Sequence, residues 1–250
     1  MLFNYHTHTK RCGHANGEDE EYVEKAIQNG VKTLGFSDHA PYLFDIPSPS
    51  THRMEVRAIE DYANSINALK KEYEKDIRIL LGFELEYYPK THEKEMEFLR
   101  SVNPEYIILG QHYIYEEHQG YASVGLREDI HLHDYVSQAI EGMQTGDFLY
   151  LAHPDLPGCN FSPKVMEKEY LRLCESAKAL AIPLEINFLG IQGERQYPNM
   201  RFWQLAGAVG NNAVFGVDAH EPNVFLQPTE DRAREIAKAC KLEIIEKDLI

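Results

Sequence analysis

An alternation constrains this chain more than any other feature. Seven short, apolar, β-rich runs ("LFNYH" from Leu2, "KTLGFS" from Lys32, "IRILLGFE" from Ile77, "EYIILGQ" from Glu105, "FLYLA" from Phe148, "PLEINF" from Pro183 and "AVFGV" from Ala213) are separated by amphipathic stretches over 18–29, 53–74, 93–102, 132–145, 163–179, 200–210 and 229–240. Continuous apolar strands between helical patterns are what a parallel sheet covered by helices requires. Seven βα units in 250 residues fit a TIM-like barrel better than an open doubly wound sheet. The open sheet often carries a glycine-rich phosphate loop after its first strand, and "YHTHTKRCGHANG" contains no G-x-G-x-x-G. The expected fold is α/β, a TIM-like barrel forming a single domain over 1–250. No repeat or linker divides the chain, and the Pro-rich "PYLFDIPSPS" from Pro41 reads as a long βα loop.

The apolar and charged fractions, 43% and 26%, are those of an ordinary globular protein. The N-terminus has no basic region followed by an apolar run, and no segment approaches the roughly 18 apolar residues of a membrane helix, so a cytoplasmic location and no membrane partner are expected. Cys12, Cys159, Cys174 and Cys240 form no Cys-x-x-Cys and read as reduced thiols. A net charge of -15 argues against long nucleic acid as a partner, because that interaction depends on Lys and Arg neutralising phosphates. The same charge would disfavour a small anionic substrate too, unless bound divalent cations reverse the local field.

The strand ends supply ligands for such cations. The first run ends in His6 and His8, the second in Asp38 and His39, the third in Glu84 and Glu86, the fourth in His112, the fifth in His153 and Asp155, the sixth in Glu185 and Asn187, and the seventh in Asp218 and His220. A His-x-His pair alone leaves open an ordinary strand face or a metal site, and His14 alone would be a loop histidine. Histidine fills 12 of 250 positions, yet five of the seven runs carry one at or near the C-terminal end. In a parallel barrel these ends share one rim. Neutral imidazoles and carboxylates gathered there would repel and desolvate one another at high cost unless cations hold them, and they are the ligands divalent transition metals take. With about four ligands per closed site and three plus water per catalytic one, such a set serves two or three ions, as in a multinuclear hydrolytic centre. His52, His92, His118, His131 and His133 lie in loops or on helices and read as surface residues.

The ordered motifs "HTHT", "SDH", "GFELE", "GQH", "AHPD" and "GVDAH", spread over nearly the whole chain, resemble the PHP (polymerase and histidinol phosphatase) family, and most closely its stand-alone histidinol-phosphatase members. The resemblance implies a distorted (βα)7 barrel holding three divalent ions, whether zinc, manganese or iron. Carried over by motif, His6, His8, Glu84 and Asp218 hold one ion and His14, His39 and His220 a second, while Glu84 bridges to a third held also by His112 and His153. The third position of the first motif varies in this family between His and an acidic residue, and here "CGHA" offers His14. The implied reaction is hydrolysis of L-histidinol phosphate, a small phosphate ester, to histidinol and phosphate, by a hydroxide bridging the metals; the alternatives are phosphodiesterase or nuclease-type cleavage, which other members suggest, and hydrolysis of another small phosphate ester. Metal ions suit this chemistry because they acidify water and neutralise phosphoryl charge.

Asp218 or His220 is expected to protonate the leaving alkoxide or orient the water. Phosphate also calls for an arginine fork, with Arg195 and Arg53 as first candidates and Arg11 and Arg127 behind them. Glu185 and Asn187 are expected to meet the substrate's amine, and Tyr42, Tyr88 and Tyr115 to wall the pocket. The oligomeric state is not legible in the sequence.

Overall fold

The computed structural model describes residues 1–43, 52–117, 120–158 and 160–250. In chain order the elements are β1 (Phe3–Asn4), α1 (Asp19–Gln28), β2 (Thr33–Phe36), α2 (Ile59–Glu72), β3 (Arg78–Leu85), α3 (His92–Leu99), β4 (Tyr106–Leu109), α4 (Asp129–Thr145), α5 (Pro163–Ala179), β5 (Leu184–Asn187), α6 (Phe188–Gln192), α7 (Met200–Val209), β6 (Asn212–Gly216), α8 (Thr229–Cys240) and β7 (Glu243–Ile244). The helices form where the apolar period is helical: in α2 the buried residues are Ile59, Tyr62, Ala63, Ile66 and Leu69, one stripe of a 3.6-residue repeat. None of the helices described is long and apolar enough to cross a membrane.

Strands β1 to β4 form one parallel sheet in sequence order, and β5 to β7 form a second. The two meet at Leu151, which bridges to Leu109 on one side and Leu184 on the other. A further parallel bridge, Thr7 with Ala219, lays the segment after β1 beside the segment after β6, with His8 N–H donating to Ala219 O at 2.9 Å. The architecture is therefore α/β, built on a curled parallel sheet.

The run "FLYLA" differs from expectation, since it contributes the bridged Leu151 rather than a strand. It is short because it follows a left-handed glycine cap at Gly146 and runs into His153, with φ of 29°, and Pro154, which has no N–H to give a ladder. Helix α6 and strand β7 carry no signal that the sequence pattern exposed. Helix α4 starts at Asp129 rather than 132, because Glu128 and His131 form a reciprocal cap. Part of the loop from Pro41, together with His118 and Cys159, lies outside the described residues. Cys12, Cys174 and Cys240 are free thiols, all buried.

Strand alternation sorts side chains into two layers. On β3, Ile79, Leu81, Phe83 and Leu85 join the large core under the helices, while Leu80 joins a small inner cluster with Phe3, Tyr5, Tyr106, Ile108, Tyr150, Ala152 and Val214. That aromatic plug fills the lower interior of the curl. Above it the inward positions turn polar, and that change of layer positions the site.

Candidate metal centre

Glu84 shares the inward face of β3 with Leu80, and Gly110, just past β4, leaves the space its carboxylate fills: a Cβ there would collide with Glu84 Oε1. Gly216 on β6 does the same for Glu185 on β5. After β1 the chain stays extended, which directs His6 and His8 to one side. It then turns through a short 3-10 helix (Lys10–Cys12) that begins at Thr9, whose side chain accepts from Arg11 N–H, and ends at left-handed Gly13. That turn returns His14 to the rim. Two other site residues adopt positive φ without being glycine, His153 at 29° and Asp218 at 53°, conformations that cost roughly 1–3 kcal/mol each unless the surroundings impose them.

Glu84 is the centre of the constellation. Its Oε1 lies 2.8 Å from His153 Nε2, 3.5 Å from His6 Nε2 and 3.8 Å from His112 Nε2; its Oε2 lies 3.0 Å from His39 Nδ1 and 3.6 Å from His8 Nε2. Asp218 Oδ1 adds contacts to His8 Nε2 at 3.2 Å, to His220 Nδ1 at 3.3 Å and to His6 Nε2 at 3.5 Å. His220 Nε2 and His14 Nε2 face each other at 2.9 Å. The structure thus brings together all nine residues that the sequence motifs single out as ligands, and it sets Glu84 near His39 as well as near the other two groups.

The electrostatics are those of a cage built for positive charge. Burial opposes a charge on Glu84, but His39, His112 and His6 outweigh it and hold the carboxyl well below its usual range. Burial likewise disfavours protonated His8, yet the nearby carboxylates of Asp218, Asp38 and Glu84 raise it to about 9. His220 goes the other way: burial first, and then the positive His8, lower it to about 3. Some imidazoles thus take protons to balance the carboxylates while others are held neutral.

Divalent ions fit this donor set. His6 Nε2, His8 Nε2 and Glu84 Oε2 are buried with no hydrogen-bond partner among the described residues, a costly state unless something else binds them. Ligand atoms of His6, His8 and Glu84, of His6, His153 and Asp218, and of His8, His39 and His220 lie within 4.8 Å of one another. Two facing Nε2 atoms at 2.9 Å have one proton or one cation to share. Behind the cage, Glu185 Oε1 takes His6 Nδ1 at 2.7 Å and Glu86 Oε1 takes His112 Nδ1 at 3.1 Å, the outer-carboxylate pattern of metal-binding histidines.

The cage opens into a cavity of about 500 Å³, large enough for a small phosphate ester. Arg195 lines it, with Nη1 3.1 Å from the Tyr197 hydroxyl. Arg53 also lines it, but differs from expectation: its guanidinium is bound by Glu86 and Glu117, the latter 2.8 Å away, and has little left for a phosphate. Arg11 is paired to Asp19 and Asp61 away from the cavity, and Arg127 does not line it. Glu185 and Asn187 are corrected as well. Both are buried behind the cage, Glu185 on His6 and Asn187 on Glu185 and Asp218, so neither faces an incoming amine. Tyr115 is about half exposed and bonds Asp134 outside the cavity; Tyr42 and Tyr88 stand behind Glu117 and Glu86. The aromatic walls are instead Tyr113, Tyr121 and Tyr197, which no sequence pattern marked. His52 reaches the rim, its ring 5.0 Å from that of His14, and His92 is buried against Asp147, so neither is an ordinary surface histidine. His131 does cap α4, and His133 bonds Glu169.

Comparison with known proteins agrees with this geometry. The family model described as PHP domain matches residues 4–189. The protein named probable histidinol-phosphatase in Deinococcus radiodurans is 27% identical over 245 residues, covering 94% of this chain and 92% of its own. The probable histidinol-phosphatase of Schizosaccharomyces pombe is 25% identical, covering 89% and 82%. Among solved structures, the histidinol phosphate phosphatase of Lactococcus lactis, crystallised with zinc, L-histidinol and phosphate, superimposes with a TM-score of 0.73 at 17% identity, over 98% of this chain and 95% of that one.

Proposed function

The chain belongs to the PHP domain family, and on that footing we propose that it is a metal-dependent phosphomonoesterase that hydrolyses L-histidinol phosphate to L-histidinol and phosphate. The observation that carries the reading is the Glu84-centred cage, whose five imidazoles within 3.8 Å open onto a cavity sized for such an ester. The histidinol-phosphatase relatives, which match over most of their length, support the choice of substrate. The whole of 1–250 is taken as one distorted (βα)7 barrel, with the segment at Leu151 standing as its reduced fifth strand.

Three ions are proposed. His6, His8, Glu84 and Asp218 hold the first; His14, His39 and His220 hold the second; Glu84, His112 and His153 hold the third. When bound, they supply Lewis-acid charge for the phosphoryl oxygens and a water acidic enough to attack at neutral pH. The protein's residues do the rest. Arg195 presents its planar fork to a phosphoryl oxygen from the cavity wall. Tyr197, bonded to Arg195, fixes that fork, and Leu156 and Leu189 exclude bulk water beside it. His220, disfavoured from taking a proton by its burial, serves as a neutral ligand. Asp218, on the same rim, orients the attacking water through the carboxylate it presents to His6 and His8.

The test is phosphate release by zinc- or manganese-loaded protein from histidinol phosphate, sugar phosphates and a dinucleotide. Release from histidinol phosphate at a kcat/KM at least about a hundredfold above the other monoesters is expected, a preference that two or so well-placed polar contacts supply. Cleavage of the diester alone would sink the proposal.

A further inference from the structure

Nine ligands that look alike in the sequence stand in different surroundings. His6 and His8 are fully buried, and a hydrogen-bonded carboxylate stands behind His6. Glu185 Oε1 lies 2.7 Å from His6 Nδ1, whereas Asp38 Oδ1 stands 3.5 Å from His8 Nδ1 without a hydrogen bond to it. Glu185 is itself fixed, accepting from His153 N–H at 3.0 Å, from Asn187 Nδ2 at 2.9 Å and from the Tyr150 hydroxyl at 3.2 Å. A carboxylate on the far nitrogen holds the proton there, keeps the lone pair on Nε2 and makes that nitrogen a stronger donor. The ion position facing His6 and His8 also has two anionic ligands, Glu84 and Asp218.

At the rim position no histidine has a carboxylate of its own behind it. His14 is exposed, and its Nδ1 rests 3.2 Å from a backbone carbonyl, that of Cys12. His220 Nδ1 likewise lies 3.0 Å from the Asp218 carbonyl, with the Asp218 carboxylate, already shared with His6 and His8, at 3.3 Å. His39 turns its Nδ1 to Glu84. A neutral carbonyl polarises an imidazole less than a carboxylate does, and water reaches this end of the cage.

We propose that the protein grips its ions unequally: the position at His6, His8, Glu84 and Asp218 is held tightly because Glu185 stands behind His6 and two carboxylates, Glu84 and Asp218, face the ion, and the position at His14, His39 and His220 is labile. Glu185 is a positioning residue in this account. The inference rests on the division of ligands among ions given above and not on the substrate.

The experiment strips zinc-loaded protein with a chromogenic chelator and follows zinc release with time, alongside total zinc by atomic emission. Two phases are expected, the fast one of about one ion per chain. His14→Ala removes that fast phase, lowers the zinc content by about one and leaves the slow phase unchanged. Glu185→Gln, with the fold checked by circular dichroism, weakens the slow step by roughly 10–100-fold, as loss of an outer partner does, and leaves the fast one in place. Glu185→Asp, which draws the carboxylate back from His6, has the same direction and stands in if Glu185→Gln does not fold. A general loosening of the structure would move both phases together. Single-phase release from the unaltered protein, or an unchanged slow phase in the folded carboxylate variants, overturns the proposal. Zinc release involves no substrate, so biphasic release from a protein inactive on histidinol phosphate would refute the proposed reaction and leave this inference standing.

Discussion

Glu84 Oε1 lies 2.8 Å from His153 Nε2, with both side chains 1% exposed. One residue comes from the middle of the first sheet and the other from the seam between the two sheets, so this contact joins the halves of the curl at the site.

Replacing His153 tests that junction. His153→Ala removes a donor at the cage and is expected to lower kcat/KM for phosphate release roughly 100-fold or more, the scale on which a single preorganised electrostatic contact acts. Phosphate assays on zinc-loaded protein, with circular dichroism as a control for folding, measure it; near-normal activity would remove His153 from the machinery.

Gly110 has a different lesson. Gly110→Ala drives a methyl group into the Glu84 carboxylate, so it is expected to reduce zinc content and to destabilise by about 1–3 kcal/mol, as overpacking does. Gly30→Ala is the control, since a Cβ at Gly30 meets nothing within 4 Å and only its φ of 78° is penalised, by roughly 1–2 kcal/mol. Zinc content should fall in the first variant only.

The two arginines on the cavity wall should separate cleanly. Arg53→Ala leaves Glu86 and Glu117 buried without their cation and is expected to cost about 3–5 kcal/mol of stability by denaturant melting. Arg195→Ala, at an exposed residue bonded to a tyrosine, should leave the melting curve nearly unchanged while lowering kcat/KM roughly 10–100-fold, matching about 1.5–3 kcal/mol for a hydrogen bond to a charged group.

Glu95 predicts a pH dependence of stability. Burial first, then the nearby Glu86 and Glu117, raise its carboxyl from 4.5 to about 8 against the pull of Arg53. The folded form therefore keeps a proton that the unfolded chain releases, so stability falls as pH rises from about 4.5 through about 8. Glu95→Gln removes that titration, and it is expected to gain up to a few kcal/mol on the unaltered protein between pH 6 and 9, by denaturant melts across that range. Parallel curves for the two proteins would refute it.

The members of the cage were legible in the sequence because strand period and strand end are local properties. In "GFE", "GQH" and "GVD" a glycine sits two places before, or next but one to, an inward-facing ligand, and the structure shows why Gly82, Gly110 and Gly216 are there: each leaves room for a large neighbour, Tyr106, Glu84 or Glu185. The arginine and amine contacts were not legible in this way. Arg53 and Arg195 look equivalent as residues in loops, and only the approach of Glu86 and Glu117 from other segments occupies one of them. Glu185 looked like a site residue facing substrate because it ends a strand, whereas its partner is His6, 179 positions away in sequence.

Hydrophobic period, turn residues and strand-end ligands are written in neighbouring residues, so the sequence by itself determined the α/β class, most of the helices and the nine members of the cage. Which carboxylate balances which cation is settled by long-range packing within a low-dielectric interior, where a partner a few ångströms away outweighs any neighbour along the chain. Only the tertiary structure therefore decided that Arg53 is occupied, that Arg195 faces the cavity, and that Glu185 stands behind a ligand instead of in front of a substrate.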